Sequence, residues 1–163
     1  LKKLILLIGI PGSGKTTLSQ KLTSRGYTRL CADDIRGELF GDPIIQKDTE
    51  KVFALFFERL EKLFAEGLDV VIDNTNLNAK QRKPILDRAK TAGYDDVQLW
   101  LLDMPLNTCL ERNKLRERIV PDEAIESCYR ELGRAGKPRR EEGKVVILRP
   151  TKDGSDFLFF NQN

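Results

Sequence analysis

The feature that most constrains this chain is residues 9–16, Gly-Ile-Pro-Gly-Ser-Gly-Lys-Thr, set directly behind the apolar run Leu4-Ile5-Leu6-Leu7-Ile8. The octet satisfies G-x-x-x-x-G-K-[ST], and both flanks suit it: an aliphatic strand before, a helix-compatible segment from Lys15 to Ser24 after. Gly9, Gly12 and Gly14 let the backbone turn successive N–H groups inward on a phosphate chain. Ser13 and Thr17 belong to the same cradle. Lys15 places a point charge beside the outer phosphates, and the Thr16 hydroxyl suits Mg²⁺. The helix that begins here adds its positive dipole end. These residues imply a site for a nucleoside triphosphate, ATP or another NTP with Mg²⁺. What the chain does with it must come from elsewhere in the sequence.

The 163 residues suit one domain (1–163) with a proper core, and 40% hydrophobic with 33% charged residues is ordinary for a globular protein. No apolar run nears the roughly 20 residues of a membrane span, and no leader pattern is evident. Cys31, Cys109 and Cys128 have spacings that fit neither a zinc site nor a disulfide framework, so reduced thiols and a cytoplasmic location are expected. Histidine is absent altogether. Proton transfer must then run on carboxylates, lysine or tyrosine.

Short strands alternate with helical segments, which predicts an α/β fold on a parallel sheet. Strands are expected at 3–8, 27–31, 68–72, 97–102 and 144–148, five in all, with residues after 148 lying against the body as a tail through Phe157, Phe159 and Phe160. Between 48 and 65, Val52, Phe53, Phe56, Leu60, Leu63 and Phe64 recur at three- and four-residue spacing and read as a core-facing stripe. Helices are also expected over 79–91, 105–112 and 121–132, and a charged connector over 133–143.

Polar residues collect where strands end, the edge at which open α/β sheets bind ligands. Asp33 and Arg36, three apart at a helix start, share a face. Asp33 is the candidate general base and Arg36 the candidate ligand of an anionic acceptor group; the plain alternative is a helix cap beside a solvated arginine. Asp73 closes an apolar strand and could hold Mg²⁺ directly or through water, and Asn74, Thr75 and Asn76 read as a polar wall of the acceptor pocket. Residues 112–120 are basic. Arg116, then Arg112, are the candidates to cover charge on the transferring phosphate, from the place where nucleotide kinases carry a lid. Asn113-Lys114-Leu115-Arg116 lacks the aspartate that guanine reading requires.

Together, Gly-x-Pro-Gly-Ser-Gly-Lys-Thr, Asp33-Asp34-Ile35-Arg36, Asp73-Asn74-Thr75-Asn76-Leu77-Asn78 and Arg112-Asn113-x-x-Arg116 before Val120-Pro121 resemble the 5′-polynucleotide kinase domain of phage and bacterial end-healing enzymes. The resemblance spans about residues 1–135. It implies a P-loop NTPase fold with strands in adenylate-kinase-like order and an arginine-bearing lid. It also implies transfer of a γ-phosphate to a 5′-hydroxyl end of RNA or DNA. Asp33 then matches the base, Arg36 the acceptor-phosphate ligand, Lys15 and Thr16 the donor and metal residues, and Arg116 the lid arginine. Phage members have Ser-Asp-Thr-Asn where Asp73 opens this motif, so the carboxylate stands one position earlier here. Two other functions fit the same residues: a kinase of a small hydroxyl metabolite or antibiotic, and a regulatory module with slow hydrolysis. A polynucleotide acceptor calls for a basic groove beyond Arg36, for which Lys80, Arg82 and Lys83 are candidates.

Overall fold

Five consecutive apolar residues with no polar alternation demand a strand covered on both faces, and β1 (Lys3–Ile8) is that strand. In the structure, a computed structural model describing residues 2–162, it lies at the centre of a six-stranded sheet ordered β2-β3-β1-β4-β5-β6. β2 (Thr28–Leu30), β3 (Val70–Asp73), β4 (Asp96–Leu102) and β5 (Lys144–Pro150) are parallel with it, and the first five strands have the adenylate-kinase-like order. The α/β fold with a mostly parallel, helix-flanked sheet is the expected one. The strand count is not. β6 (Phe157–Gln162) turns back and pairs antiparallel with β5, from Pro150↔Phe157 to Val145↔Gln162. The expected tail is a strand because a tight connector, 151–156, ends β5. Asp153 accepts from the Thr151 and Ser155 hydroxyls and from the Ser155 amide, and Gly154 takes the left-handed turn.

Alternation along β1 feeds two cores. Leu4 and Leu6 face α3 (Thr49–Ala65) and α4 (Ala79–Thr91), joined there by Val52, Phe56, Leu60, Phe64 and Ile85. Of the six residues of the predicted α3 stripe, Val52, Phe56, Leu60 and Phe64 are buried, each worth about 2 kcal/mol, while Phe53 and Leu63 are half-buried at the edge of the same cluster. Ile5 and Leu7 face α1 (Lys15–Thr23) through Leu18 and Leu22, with Phe157 packed at the margin. A third cluster, Ile10, Leu77, Met104, Cys109 and Ile125, seats α5 (Leu106–Lys114) and α6 (Asp122–Glu131) over the strand ends. The expected connector after α6 is partly regular: a π turn at Leu132–Gly136 and a 3₁₀ turn at Arg140–Glu142. Among the described residues no helix is long and apolar enough to cross a membrane.

Candidate active site

Register brings the ends of three strands to one place. Leu7 pairs with Asp73, and the Gly9 amide donates to the Thr75 carbonyl at 3.1 Å, so the loop after β1 begins beside the loop after β3. Gly12 has φ +85°, and a Cβ there would stand 2.8 Å from the Cys109 carbonyl oxygen. Glycine is therefore required twice over, by conformation and by the approach of α5. Lys15 curls back over the loop, its Nζ donating to Gly9 O at 2.9 Å and Ile10 O at 3.0 Å. Burial pushes this ammonium's pKa below its usual value, against the upward pull of Asp73 and Asp33. Ser13 Oγ is buried with no partner among the described residues. Thr16 and Thr17 stand exposed in the first turn of α1, and neither hydroxyl is engaged among the described residues.

Asp73 is 4% exposed and heavily engaged through one oxygen. Its Oδ2 accepts from Ser19 Oγ at 3.0 Å, from Arg29 Nε at 3.0 Å and from Arg29 Nη2 at 2.8 Å. Ser19 Oγ also lies 2.9 Å from Thr16 O, which ties this carboxylate to the first turn of α1. Arg29 Nη1 meanwhile pairs with Asp34. Arg29 escaped the sequence reading because a lone arginine in a three-residue strand carries no motif. The network makes it the residue that balances Asp73.

Asp33 and Arg36 sit together on α2 (Ala32–Phe40), and neither carboxylate of Asp33-Asp34 caps the helix; the N-cap is Cys31. Arg36 Nη1 donates to Asp33 Oδ1 at 2.7 Å. Arg36 is only 8% exposed, and its guanidinium carbon lies 5.8 Å from the centre of the Phe53 ring. Its Nε has no partner among the described residues. Asp33, by contrast, faces solvent.

The polar run after β3 divides. Asn74 Oδ1 accepts from the Ala32 amide at 2.9 Å, and Asn76 Nδ2 donates to Leu7 O at 2.8 Å, its backbone left-handed at φ 50°. Asn74 thus holds the start of α2 and Asn76 the end of β1, and both fix the loop's shape. Thr75 alone keeps its hydroxyl unengaged among the described residues. Arg82, read from sequence as part of an exposed groove, is fully buried. It donates to Glu142, Asn76 O and Gly136 O. Helical phase on α4 turns it inward while Lys80 and Lys83 remain outside.

The basic stretch 112–120 also divides. Arg112, still within α5, reaches the loop: its Nη1 would lie 3.6 Å from a Cβ on Gly14, and its Nη2 donates to Gly154 O at 3.4 Å. Phe157 closes on Gly14 from the same side, 3.2 Å from that Cβ position. From the sequence Phe157 was expected only as part of a tail lying against the body, with nothing in the pattern to aim it at the loop. Arg116 is exposed, in a loop clamped by buried Asn113, whose amide holds both Val120 N and Val120 O. Arg118 pairs with Asp42 at 2.8 Å. The cysteines stay protonated: burial raises the Cys31 thiol to about 11 and pushes Cys109 and Cys128 up as well.

Residues 4–134 match the model of an AAA domain, AAA_33, which takes in the loop, both carboxylate clusters and the basic stretch. The chain belongs to that family. In sequence it is 34% identical over 147 residues to a protein named as a bifunctional polynucleotide kinase/RNA ligase of Autographa californica nuclear polyhedrosis virus, a match covering 80% of this chain and 21% of the relative. It is 28% identical to the L-seryl-tRNA(Sec) kinase of Methanococcus maripaludis, over 82% of this chain and 53% of that one. In structure it superposes on a chain of the Pnkp1/Rnl/Hen1 RNA repair complex with a TM-score of 0.72 at 23% identity, covering 99% of this chain and 48% of that one. The likeness to this last chain is one of fold. This AAA_33 chain thus spans from about a fifth to about half of the lengths of these relatives.

Proposed function

We propose that this P-loop domain is an ATP-dependent kinase that moves the γ-phosphate to a 5′-hydroxyl end of RNA or DNA. The observation that carries the reading is the Asp33–Arg36 pair, 2.7 Å apart on the sheet edge that also bears the phosphate loop. A solvent-facing carboxylate can receive a hydroxyl proton. The buried guanidinium beside it holds an unpartnered Nε, a donor that an acceptor phosphate oxygen would satisfy. The polynucleotide kinase name of the viral relative supports this choice of acceptor.

In the transfer, the 5′-oxygen bonds to the γ-phosphorus as the bond from that phosphorus to the bridging oxygen breaks. ADP leaves, and the hydroxyl proton passes to Asp33. Lys15 exchanges the carbonyls of Gly9 and Ile10 for phosphate oxygens. Arg112 lies against the loop, and Arg116, on the lid, covers charge when the lid closes. Mg²⁺ fits the oxygen donors present, the unengaged Thr16 hydroxyl and Asp73 Oδ1, which accepts no bond among the described residues. Held there, it would supply charge neutralisation on the phosphates. From the β3 loop, the Thr75 hydroxyl and Asn74 Nδ2, neither engaged among the described residues, are left to touch the acceptor.

The test supplies Mg²⁺ and γ-labelled ATP with a 5′-hydroxyl oligonucleotide, its 5′-phosphorylated counterpart and a set of small sugars and alcohols. Label is expected on the 5′-hydroxyl strand alone. Transfer only to a small compound overturns the acceptor, and transfer to nothing overturns the kinase. Asp33→Ala is expected to lower kcat about a hundredfold or more, and a loss under fivefold removes Asp33 as base.

A further inference from the structure

Charge on this molecule is concentrated in one place outside the phosphate site. Residues 130–140 contain Arg130, Arg134, Lys137, Arg139 and Arg140 against Glu131 alone, whereas the whole chain sets 28 cations against 25 acids. Outside that stretch the chain is therefore net negative by one charge. The stretch is the source of the positive balance.

Two neighbouring carboxylates that could neutralise it are committed to α4. Glu131 accepts from Asn78 Nδ2 at 2.6 Å, and Glu142 is held by buried Arg82. Glu141, and Glu126 one turn before Arg130 on α6, are the other acids near it in sequence. None of the five cations has a carboxylate within 4.0 Å among the described residues, although many other surface cations do, Arg59, Lys83, Arg88 and Arg149 among them. All five are exposed.

The backbone that carries them is fixed to the site. Within the π turn, a Cβ on Gly136 would stand 2.0 Å from the Leu77 carbonyl oxygen, so the segment is pressed against the residue that follows Asn76. Arg82 locks the contact by donating to Asn76 O and Gly136 O at 2.8 and 2.7 Å. From there Asn74 leads directly to the Ala32 amide, next to Asp33. Just ahead of the cations, Tyr129 is 45% exposed, a flat ring in water beside positive charge. Unpaired cations interleaved with an exposed aromatic ring are the chemistry of single-stranded nucleic-acid binding, where phosphates meet the charges and bases stack on the ring.

We propose that Tyr129, Arg130, Arg134, Lys137, Arg139 and Arg140 form the platform that holds a single-stranded acceptor downstream of the 5′ end seated at Asp33 and Arg36, an inference that rests on the polynucleotide reading above. Of the groove expected from Lys80, Arg82 and Lys83, Arg82 is taken out by burial, and the platform supplies the cations in its place. The contact grows with strand length, so a strand too short to reach the platform does not use it.

The experiment compares the protein with Arg134→Ser/Lys137→Ser/Arg139→Ser/Arg140→Ser and, separately, Tyr129→Ala. Affinity for a 3′-labelled, 5′-hydroxyl strand of about 20 nucleotides is read by anisotropy across a salt series without ATP, alongside a trinucleotide and vesicles of anionic lipid. Unfolding midpoints are measured for both variants, and Tyr129→Ala stands in should the quadruple variant fold poorly. The quadruple variant is expected to bind the long strand at least about tenfold more weakly, with a salt slope shallower by about 3, since each single-strand phosphate contact contributes about 0.7. Tyr129→Ala is expected to weaken it severalfold at unchanged slope. Unchanged affinity and slope in a folded quadruple variant overturn the platform, as does binding to vesicles in place of the strand. A protein that binds the strand through these residues yet transfers no phosphate retains the platform and loses the kinase reading. One that phosphorylates 5′ ends with the same KM ratio between long and short strands in both forms keeps the reading and loses the platform.

Discussion

Glu142→Ala leaves the Arg82 guanidinium, a charge with no solvent exposure, held only by the carbonyls of Asn76 and Gly136. The native side chain takes two bonds from Arg82, at 2.9 and 3.2 Å, and is itself 13% exposed. Removing one member of a buried pair costs about 3–5 kcal/mol, because the remaining charge keeps its desolvation penalty without its counter-charge. Arg82→Met acts differently. It removes the charge but orphans two buried carbonyls, at about 1–3 kcal/mol each. The double variant has no stranded guanidinium, so it should cost the same as Arg82→Met to within about 1 kcal/mol, a non-additivity of about 3–5 kcal/mol. For a chain of this size, Glu142→Ala should lower Tm by about 6–20 °C. Urea titrations followed by far-ultraviolet circular dichroism, with m compared across the four proteins, measure the cycle. A loss below 1 kcal/mol for Glu142→Ala, or strict additivity, would refute the buried-pair reasoning.

Three further outcomes are expected. Arg29→Ala leaves Asp73 buried with Ser19 as its remaining donor and should cost about 3 kcal/mol; adding Asp73→Asn should recover part of it, and no recovery in thermal unfolding would mean that Arg29 does not balance Asp73. Burial holds the pKa of the Lys15 ammonium below its usual value, and a bound triphosphate favours the charged form. ATP affinity should hold through neutral pH and fall as pH rises through that lowered pKa, and a flat calorimetric profile from pH 7 to about 10 contradicts this. Phe157→Ala removes the ring packed on Gly14 and should weaken nucleotide binding at least threefold while costing about 2 kcal/mol of stability; an unchanged Kd confines Phe157 to packing.

The donor half of the site was legible because its signals are short-range. Glycines at fixed offsets, an aliphatic run before them and a lysine-threonine pair after them specify a strand, a loop and a helix start within a dozen residues. The pair Asp33 and Arg36 was legible for the same reason, since a three-residue offset on a helix fixes a shared face. Asn76 and Arg82 show where such reading stops. An asparagine at a strand end serves a ligand or a neighbouring strand equally well until the strand order is known, and here Leu7 O takes it. Arg82 differs from Lys80 and Lys83 only by helical phase and by what packs on α4.

Sequence alone thus determined the α/β alternation, the phosphate loop and the carboxylate-arginine pair, because each is dictated by backbone preference and side-chain period within one element. Tertiary structure decided which charges are spent on the fold and which remain free. Arg29 meets Asp73 across 44 positions and Arg82 meets Glu142 across 60, partnerships that exist only once strand order and helix packing bring them together. It also made a sixth strand of the chain's end, setting Phe157 against the loop, and left the cations of 130–140 unpaired by committing Glu131 and Glu142 elsewhere. Burial decides the chemistry of a charged side chain, and burial is a property of the assembled fold.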